Sequence, residues 1–341
     1  MKIKATIAAS LALCMLSLPA MAQDTKIKFQ LDWRFEGPSA FFLVAKSKGY
    51  FAAEKLDVSI DAGSGSGNAV NRVASGTYEM GFADMAALME FTANNPTAPS
   101  KPVAVMMVYN DTPAAIISLK KSGIAKPADL IGKKLGSPVF DAGRRAYPIF
   151  AKANQLDVAK STWVSMDPPL RETMLLRGDV DAITGFTFTS LLNLNARGVK
   201  DVDVVLMQYP NYGVKLYGNA IIVSDAFAKQ KPEAVKGFLR AFAKAAKDVM
   251  ANPEAAVKAI KERDGLIDEK LELRRLKMAI ADAVATPNAR AEGFGQTSPA
   301  RLALMASQVS DTYATKNRVD AKAVWDGSFL PSKAELTVFP K

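Results

Sequence analysis

The chain has 341 residues, with 44 lysines and arginines against 34 aspartates and glutamates, a formal net charge of +10, no histidine and one cysteine. Without histidine, Ser-His-Asp and Cys-His constellations, imidazole acid–base catalysis and most zinc sites are excluded. The positive charges are spread along the chain with no run of five or more, which argues against a nucleic-acid surface and leaves small anions as the partners a basic chain would favour.

The first 22 residues read as a secretory signal. Lys2 and Lys4 open it, an apolar run follows from Ile7 to Leu18, and Ala20 and Ala22 stand at A-x-A spacing, so cleavage is expected after Ala22. The run is too short to cross a membrane, and no other stretch reaches about 18 apolar residues. Cys14 leaves with the signal, and Leu13 before it is not the small residue of a lipoprotein site. Losing Lys2 and Lys4 lowers the charge from +10 to +8. A soluble, exported chain of ~320 residues is expected to remain, long enough for two domains. No D-x-[DN]-x-[DN]-G run suggests calcium, so neither metal nor cofactor is expected.

Beyond the signal, strands and helices alternate. "KIKFQL" (Lys26 to Leu31) is a strand, "WRFEGPS" interrupts it, and "AFFLVAKSKG" is a helix ending at Gly49. "LDVSI" is a second strand. A Gly-Ser loop then opens the short helix "NAVNRVASG". "YEMGFA" is a strand, "DMAALMEFTANN" a helix, and the apolar "KPVAVMMVY" (Lys101 to Tyr109) a strand of the kind buried in a parallel sheet. The pattern restarts near Pro113 with "PAAIISLKKSGI", "KKLGSP", "GRRAYPIFAKANQL", "TWVSM", "PPLRETMLLRGD" and "VDAITGF"; "DVDVVLM" and "LYGNAIIVS" add strands. After Ser224 the chain turns helical, with Phe238, Phe242, Ala245 and Val249 on one face. The class is α/β, two lobes with a helical tail.

The loop "DAGSGSGNAVNRVASG" (Asp61 to Gly76) is neither a dinucleotide fingerprint, since Asn68 stands where the last glycine belongs, nor a P-loop, since no Gly-Lys-Ser or Gly-Lys-Thr occurs. It is either a tight strand–helix turn or an anion cradle with the Ser64 and Ser66 hydroxyls beside helix N-terminal amides. A second strand–loop–helix, "LGSPVFDAGRRAYPIF", puts Arg144 and Arg145 in a first helical turn, where the helix dipole disfavours them unless an acid such as Asp141 or a bound anion compensates.

The order of "LDWRFEGPSAFFLVAKSKGYFAAEKLDVSI", the Gly-Ser loop, "VASGTYEMGFADMAAL", "DLIGKKLGSP", "PLRETMLLRGDVDAITGF", "YGNAIIVSDAFAKQKPEAVKGFLRAF" and "DGSFLP" resembles the periplasmic solute-binding proteins of ABC importers that take nitrate, sulfonates, taurine, aromatic acids or the thiamine pyrimidine precursor. The resemblance implies a type II two-lobed binding-protein fold with two hinge crossings and a cleft between the lobes. Lobe one would be residues 24–111 with 220–341 and lobe two residues 112–219. The crossings would fall near "VYNDTP" and "KLYGN".

It also implies the binding wall. Asp32, Trp33 and Phe35 follow the first strand; Ser64, Ser66 and Asp84 complete lobe one. Phe140, Asp141, Arg144, Arg171, Phe186 and Thr187 face them from lobe two, with Tyr217 and Asn219 at the second crossing. Phe140 and the arginines suit an aromatic or other organic carboxylate, or a sulfonate, since guanidinium pairs such groups bidentately. The "LDW" start is also similar to the pyrimidine-precursor branch, where Asp32 or Glu36 would take the amino group of a neutral heterocycle. Eukaryotic synthases of that branch consume an active-site histidine, which is missing here, so no enzymatic activity is expected. The partners implied are a small-molecule ligand and the permease and ATPase subunits of an importer, with the receptor itself a monomer. The other class to weigh is an enzyme or sensor on the same scaffold.

Overall fold

A computed structural model describes residues 23–340. The expected signal peptide and Cys14 lie outside that range. Two five-stranded sheets, each covered by helices, divide the molecule.

The first sheet is built from β1 (Thr25–Gln30), β2 (Leu56–Asp61), β3 (Met80–Asp84) and β4 (Val103–Met107), joined by α1 (Ala40–Ser47), α2 (Tyr50–Ala53), α3 (Ser66–Ala74) and α4 (Met85–Asn94). Gly49 takes a left-handed conformation between α1 and α2. The chain then enters the second sheet through β5 (Ala114–Leu119), β6 (Lys134–Ser137), α5 (Ala142–Ala153), β7 (Thr162–Ser165), α6 (Arg171–Arg177), β8 (Ala182–Phe186), α7 (Thr187–Asn195) and β9 (Val204–Gln208). It returns as β10 (Asn219–Val223), followed by α8 (Asp225–Gln230), α9 (Pro232–Ala251), α10 (Pro253–Arg263), α11 (Glu269–Ala279), α12 (Pro287–Glu292) and α13 (Pro299–Thr312).

Strand order is β2-β1-β3-β10-β4 in one sheet and β7-β6-β8-β5-β9 in the other. In each, one strand made on the far side of a crossing runs antiparallel to its neighbours: β10 against β3 and β4, and β5 against β8 and β9. The expectation of β4 in a parallel sheet is therefore corrected. An apolar run reports that both faces are covered, and the direction of the neighbouring strand is not written in it. Strands β3, β5 and β10 are buried at every residue, whereas the edge strand β2 alternates buried and exposed.

Aromatic side chains fill the first core. Phe29 stacks on Phe238, Phe238 on Phe51, and Phe42 lies between Phe29 and Phe242, so the apolar stripe of α9 closes over β1 and α1. Two strands of chain link the sheets side by side. Gly218 N–H donates to Tyr109 O at 2.9 Å and Thr112 N–H to Leu216 O at 3.0 Å. A guanidinium from α13 bolts this hinge: Arg301 donates to Asn110 Oδ1 at 2.7 Å, Asn110 O at 2.9 Å and Asp111 Oδ1 at 3.0 Å, and stacks on Tyr217.

Candidate functional site

The carboxyl ends of β1, β3, β6 and β8 converge between the sheets, the place where open α/β sheets bind ligands. Asp32 and Trp33 follow β1, Asp84 ends β3, Asp141 follows β6, and Phe186 ends β8. Two small cavities, of about 30 and 20 Å³, flank Trp33 and share Asp32, Trp33, Phe186 and Thr189 as walls. Each has room for one water-sized group, so a ring-sized ligand enters only when the lobes part.

The glycine loop makes that closure possible. A Cβ on Gly63 would lie 2.0 Å from Leu31 O, and Gly65, at φ +131°, sits where a Cβ would be 2.4 Å from Phe140 O. Gly67 N–H donates to Phe140 O at 3.2 Å across the cleft. At Gly65 and Gly67 the loop therefore seats the opposite lobe on bare backbone, while Gly63 lets it fold tightly over the end of β1. Ser66 Oγ, on the wall of the smaller cavity, is buried without a partner among the described residues, while Ser64 Oγ is taken by Asn68 at 2.6 Å.

Two carboxyls here are pushed up toward neutrality. Burial pushes Asp84 up to about 7 even though its Oδ1 caps α4 by accepting from Ala86 and Ala87 N–H. Burial likewise pushes Asp32 up to about 7, against the hydrogen bond Asn219 Nδ2 donates to its Oδ2 at 2.8 Å. Trp33 Nε1, on a residue that shares both cavities with Asp32, and Asn219 Oδ1 are buried with no partner among the described residues, one a donor and the other an acceptor.

The arginines expected to hold an anion have protein partners, although Arg171 Nη2, on a residue lining the smaller cavity, is buried with no hydrogen-bond partner among the described residues. Arg171 is 1% exposed, 2.8 Å from Glu172 and 3.2 Å from Asp141, and lies over the Trp33 ring. Burial opposes its charge, but these carboxylates more than offset it and hold its pKa up. Arg144 turns away from the cavities to Ser137 O and Ser165 Oγ, both at 3.0 Å, and stacks on Trp163. Arg145 spans the lobes to Glu90 at 2.6 Å. Asp141 is the N-cap of α5, the acid that answers the two arginines in that first turn.

Other expected wall residues fall elsewhere. Tyr217 belongs to the hinge, its hydroxyl donating to Glu292 at 2.7 Å and accepting from Ser298 N–H. Phe35 packs on the first core under Arg263. Phe140 lies on the glycine loop at the cleft rim, and Thr187 bonds Asp282 at 3.2 Å. Residues the sequence reasoning missed are Tyr109, Phe188 and Thr189, which line the larger cavity, and the exposed Arg34 at its edge. The position of Arg34 beside Trp33 was the one available signal.

Comparison with known proteins fits this geometry. The chain is 29% identical to the 4-amino-5-hydroxymethyl-2-methylpyrimidine phosphate synthase of Aspergillus parasiticus, over 68% of each chain. It is 28% identical to the riboflavin-binding protein RibY of Chloroflexus aurantiacus, over 63% of this chain and 60% of that one. It is 23% identical to the formylaminopyrimidine-binding protein of Halalkalibacterium halodurans, over 69% of each. Among solved structures, the alkanesulfonate-binding protein SsuA from Xanthomonas axonopodis pv. citri bound to MOPS superposes with a TM-score of 0.70 at 15% identity, covering 89% of this chain and 99% of that one. The fold is that of the periplasmic binding proteins. The expectation that the chain is no enzyme is overturned by its relatives, several of which, in Aspergillus parasiticus and Saccharomyces cerevisiae, are named as synthases. Residues 38–256 match the model described as NMT1/THI5 like, and the chain belongs to that family.

Proposed function

We propose that this chain captures a neutral, amino-bearing flat heterocycle of the aminopyrimidine class between two closing lobes, and presents it in the periplasm to the permease and ATPase subunits of an importer. Lobe one would comprise residues 24–111 with 220–341, and lobe two residues 112–219. The observation that carries this reading is the Asp32 carboxyl, raised to about 7 so that a large share keeps its proton near neutrality, bonded to Asn219 and sharing both cavities with Trp33, whose Nε1 has no partner among the described residues. A carboxylic acid donates its proton to a ring nitrogen and accepts from an adjacent amino group, a two-point match that a carboxylate cannot make with a neutral ring. Trp33, Tyr109, Phe186 and Phe188 supply flat apolar area around it. An organic anion would need a free cation deep in the cleft, and Arg171 is already shared by two carboxylates.

A thermal-shift panel of 4-amino-5-hydroxymethyl-2-methylpyrimidine, its formylamino analogue, riboflavin, taurine, an alkanesulfonate and benzoate tests this. A ligand at 100 times its dissociation constant adds about 2.7 kcal/mol, and the pyrimidines are expected to shift the melt. A shift with sulfonate or benzoate alone overturns the reading. The synthase names of relatives favour a second use of the same pocket, formation of a pyrimidine phosphate rather than its capture, which mass spectrometry detects as that product appearing on the protein purified from the cell.

A further inference from the structure

Helix α11 lies beyond the stretch matched by the family model, and it packs against both the Gly37–Ser39 turn and α7. Its Arg275 is 1% exposed. Nη1 donates to the carbonyls of Phe188 at 2.9 Å and Thr189 at 3.0 Å on α7, Nη2 to Asn193 Oδ1 at 3.0 Å, and Nε to Glu272 Oε2 at 2.9 Å. Nη1 also lies 3.5 Å from Glu36 Oε2, a wall of the larger cavity, and Thr189 Oγ1 donates to that same oxygen at 3.0 Å. Glu272 Oε2 in turn accepts from Gly37 N–H at 2.6 Å. One planar guanidinium thus ties the β1–α1 loop, α11 and the first turn of α7, and α7 belongs to the second sheet. Only the fork of an arginine satisfies so many acceptors from one point.

We propose that Arg275 is a positioning residue of the cleft: it fixes Glu36 and the first turn of α7 in the arrangement that completes the pocket, and so sets how readily the lobes close. Parting the lobes there must uncover a buried charge and free its carbonyl partners, which biases the equilibrium toward closure before any ligand contributes. The affinity part of the test rests on the aminopyrimidine reading; the lobe-distance part does not.

Residues 23–341 contain no cysteine, so spin labels placed through Lys126→Cys on the second lobe and Lys229→Cys on the first report the inter-lobe distance directly. The variants are Arg275→Gln, Arg275→Lys and Gly37→Ala. The last adds a Cβ 2.6 Å from Glu272 O and Leu276 N, displacing α11 without changing a charge. Arg275→Gln and Gly37→Ala are expected to broaden the distance distribution toward longer values. Both are expected to weaken binding of 4-amino-5-hydroxymethyl-2-methylpyrimidine more than tenfold. Arg275→Lys keeps the charge, loses the fork and falls between them. If Arg275→Gln does not fold, the other two decide. Distance distributions unchanged from the parent in folded variants overturn the proposal. A pyrimidine that fails to bind the parent overturns the ligand reading and leaves the distances to decide this one.

Discussion

Raising the pH from about 5 to 8 is expected to destabilise this protein, and Asp84→Asn to remove much of that loss. Asp84 is 4% exposed, and burial holds its carboxyl up to about 7 from the ordinary 3.8. Between those values the unfolded chain has released a proton that the folded chain keeps. The stabilisation is complete below pH 4, falls as pH rises toward 7, and is gone above it. A shift of about three pH units corresponds to ~4 kcal/mol for one fully buried group. Asp32 shifts in the same direction and is partly exposed, so it adds less. Asparagine retains the oxygen that caps α4, so Asp84→Asn is expected to exceed the parent by only ~1–2 kcal/mol at pH 5 and by a few kcal/mol more at pH 8. Urea unfolding at both pH values measures this; equal parent and variant stabilities at pH 8 would show that Asp84 ionises freely in the fold.

Arg171→Met is expected to cost ~3–5 kcal/mol of folding stability, because it strands Asp141 and Glu172 as buried charges without their cation. The guanidinium also covers one face of Trp33, so the substitution uncovers the ring that lines both cavities. Restoring charge balance separates the two effects. Combining Arg171→Met with Asp141→Asn and Glu172→Gln is expected to recover most of the stability, since a buried ion cluster exchanged for neutral groups of similar volume is close to neutral in free energy. A single Arg171→Met variant within about 0.5 kcal/mol of the parent would mean the cluster is not desolvated and would refute the assignment.

The same arginine shows what the sequence could convey. The alternation of strands and helices, the restart near Pro113 and the helical tail after Ser224 were all written in local patterns, because core faces impose periods of two and 3.6 residues. Asp141 was legible as the acid that offsets the arginines of its own first turn, and the glycine loop as a strand–helix turn, because both relations are local; the loop's close approach to Phe140 was not. Of the charge partners, only Glu172 for Arg171 was open to a local reading. Arg275 finds α7, Arg145 finds Glu90 and Arg301 finds the hinge across long stretches of chain. Tyr217 is the sharpest case. Its place at a crossing pointed it toward the ligand, and a carboxylate 75 residues away claimed its hydroxyl for the hinge.

The antiparallel strand β10 lies between β3 and β4, and it is separated from them in the chain by the whole second sheet. That sheet, β5 to β9, is one continuous stretch and can assemble as soon as it exists. The first cannot: its interior strand is the fifth to be made, and α9, which covers its aromatic core, comes later still. During synthesis, the first half of the chain must wait with β3 and β4 unjoined and their apolar faces uncovered. The order of assembly therefore runs opposite to the order of the sequence. A truncation before residue 219 is expected to leave the second lobe able to fold and the first without its keystone strand.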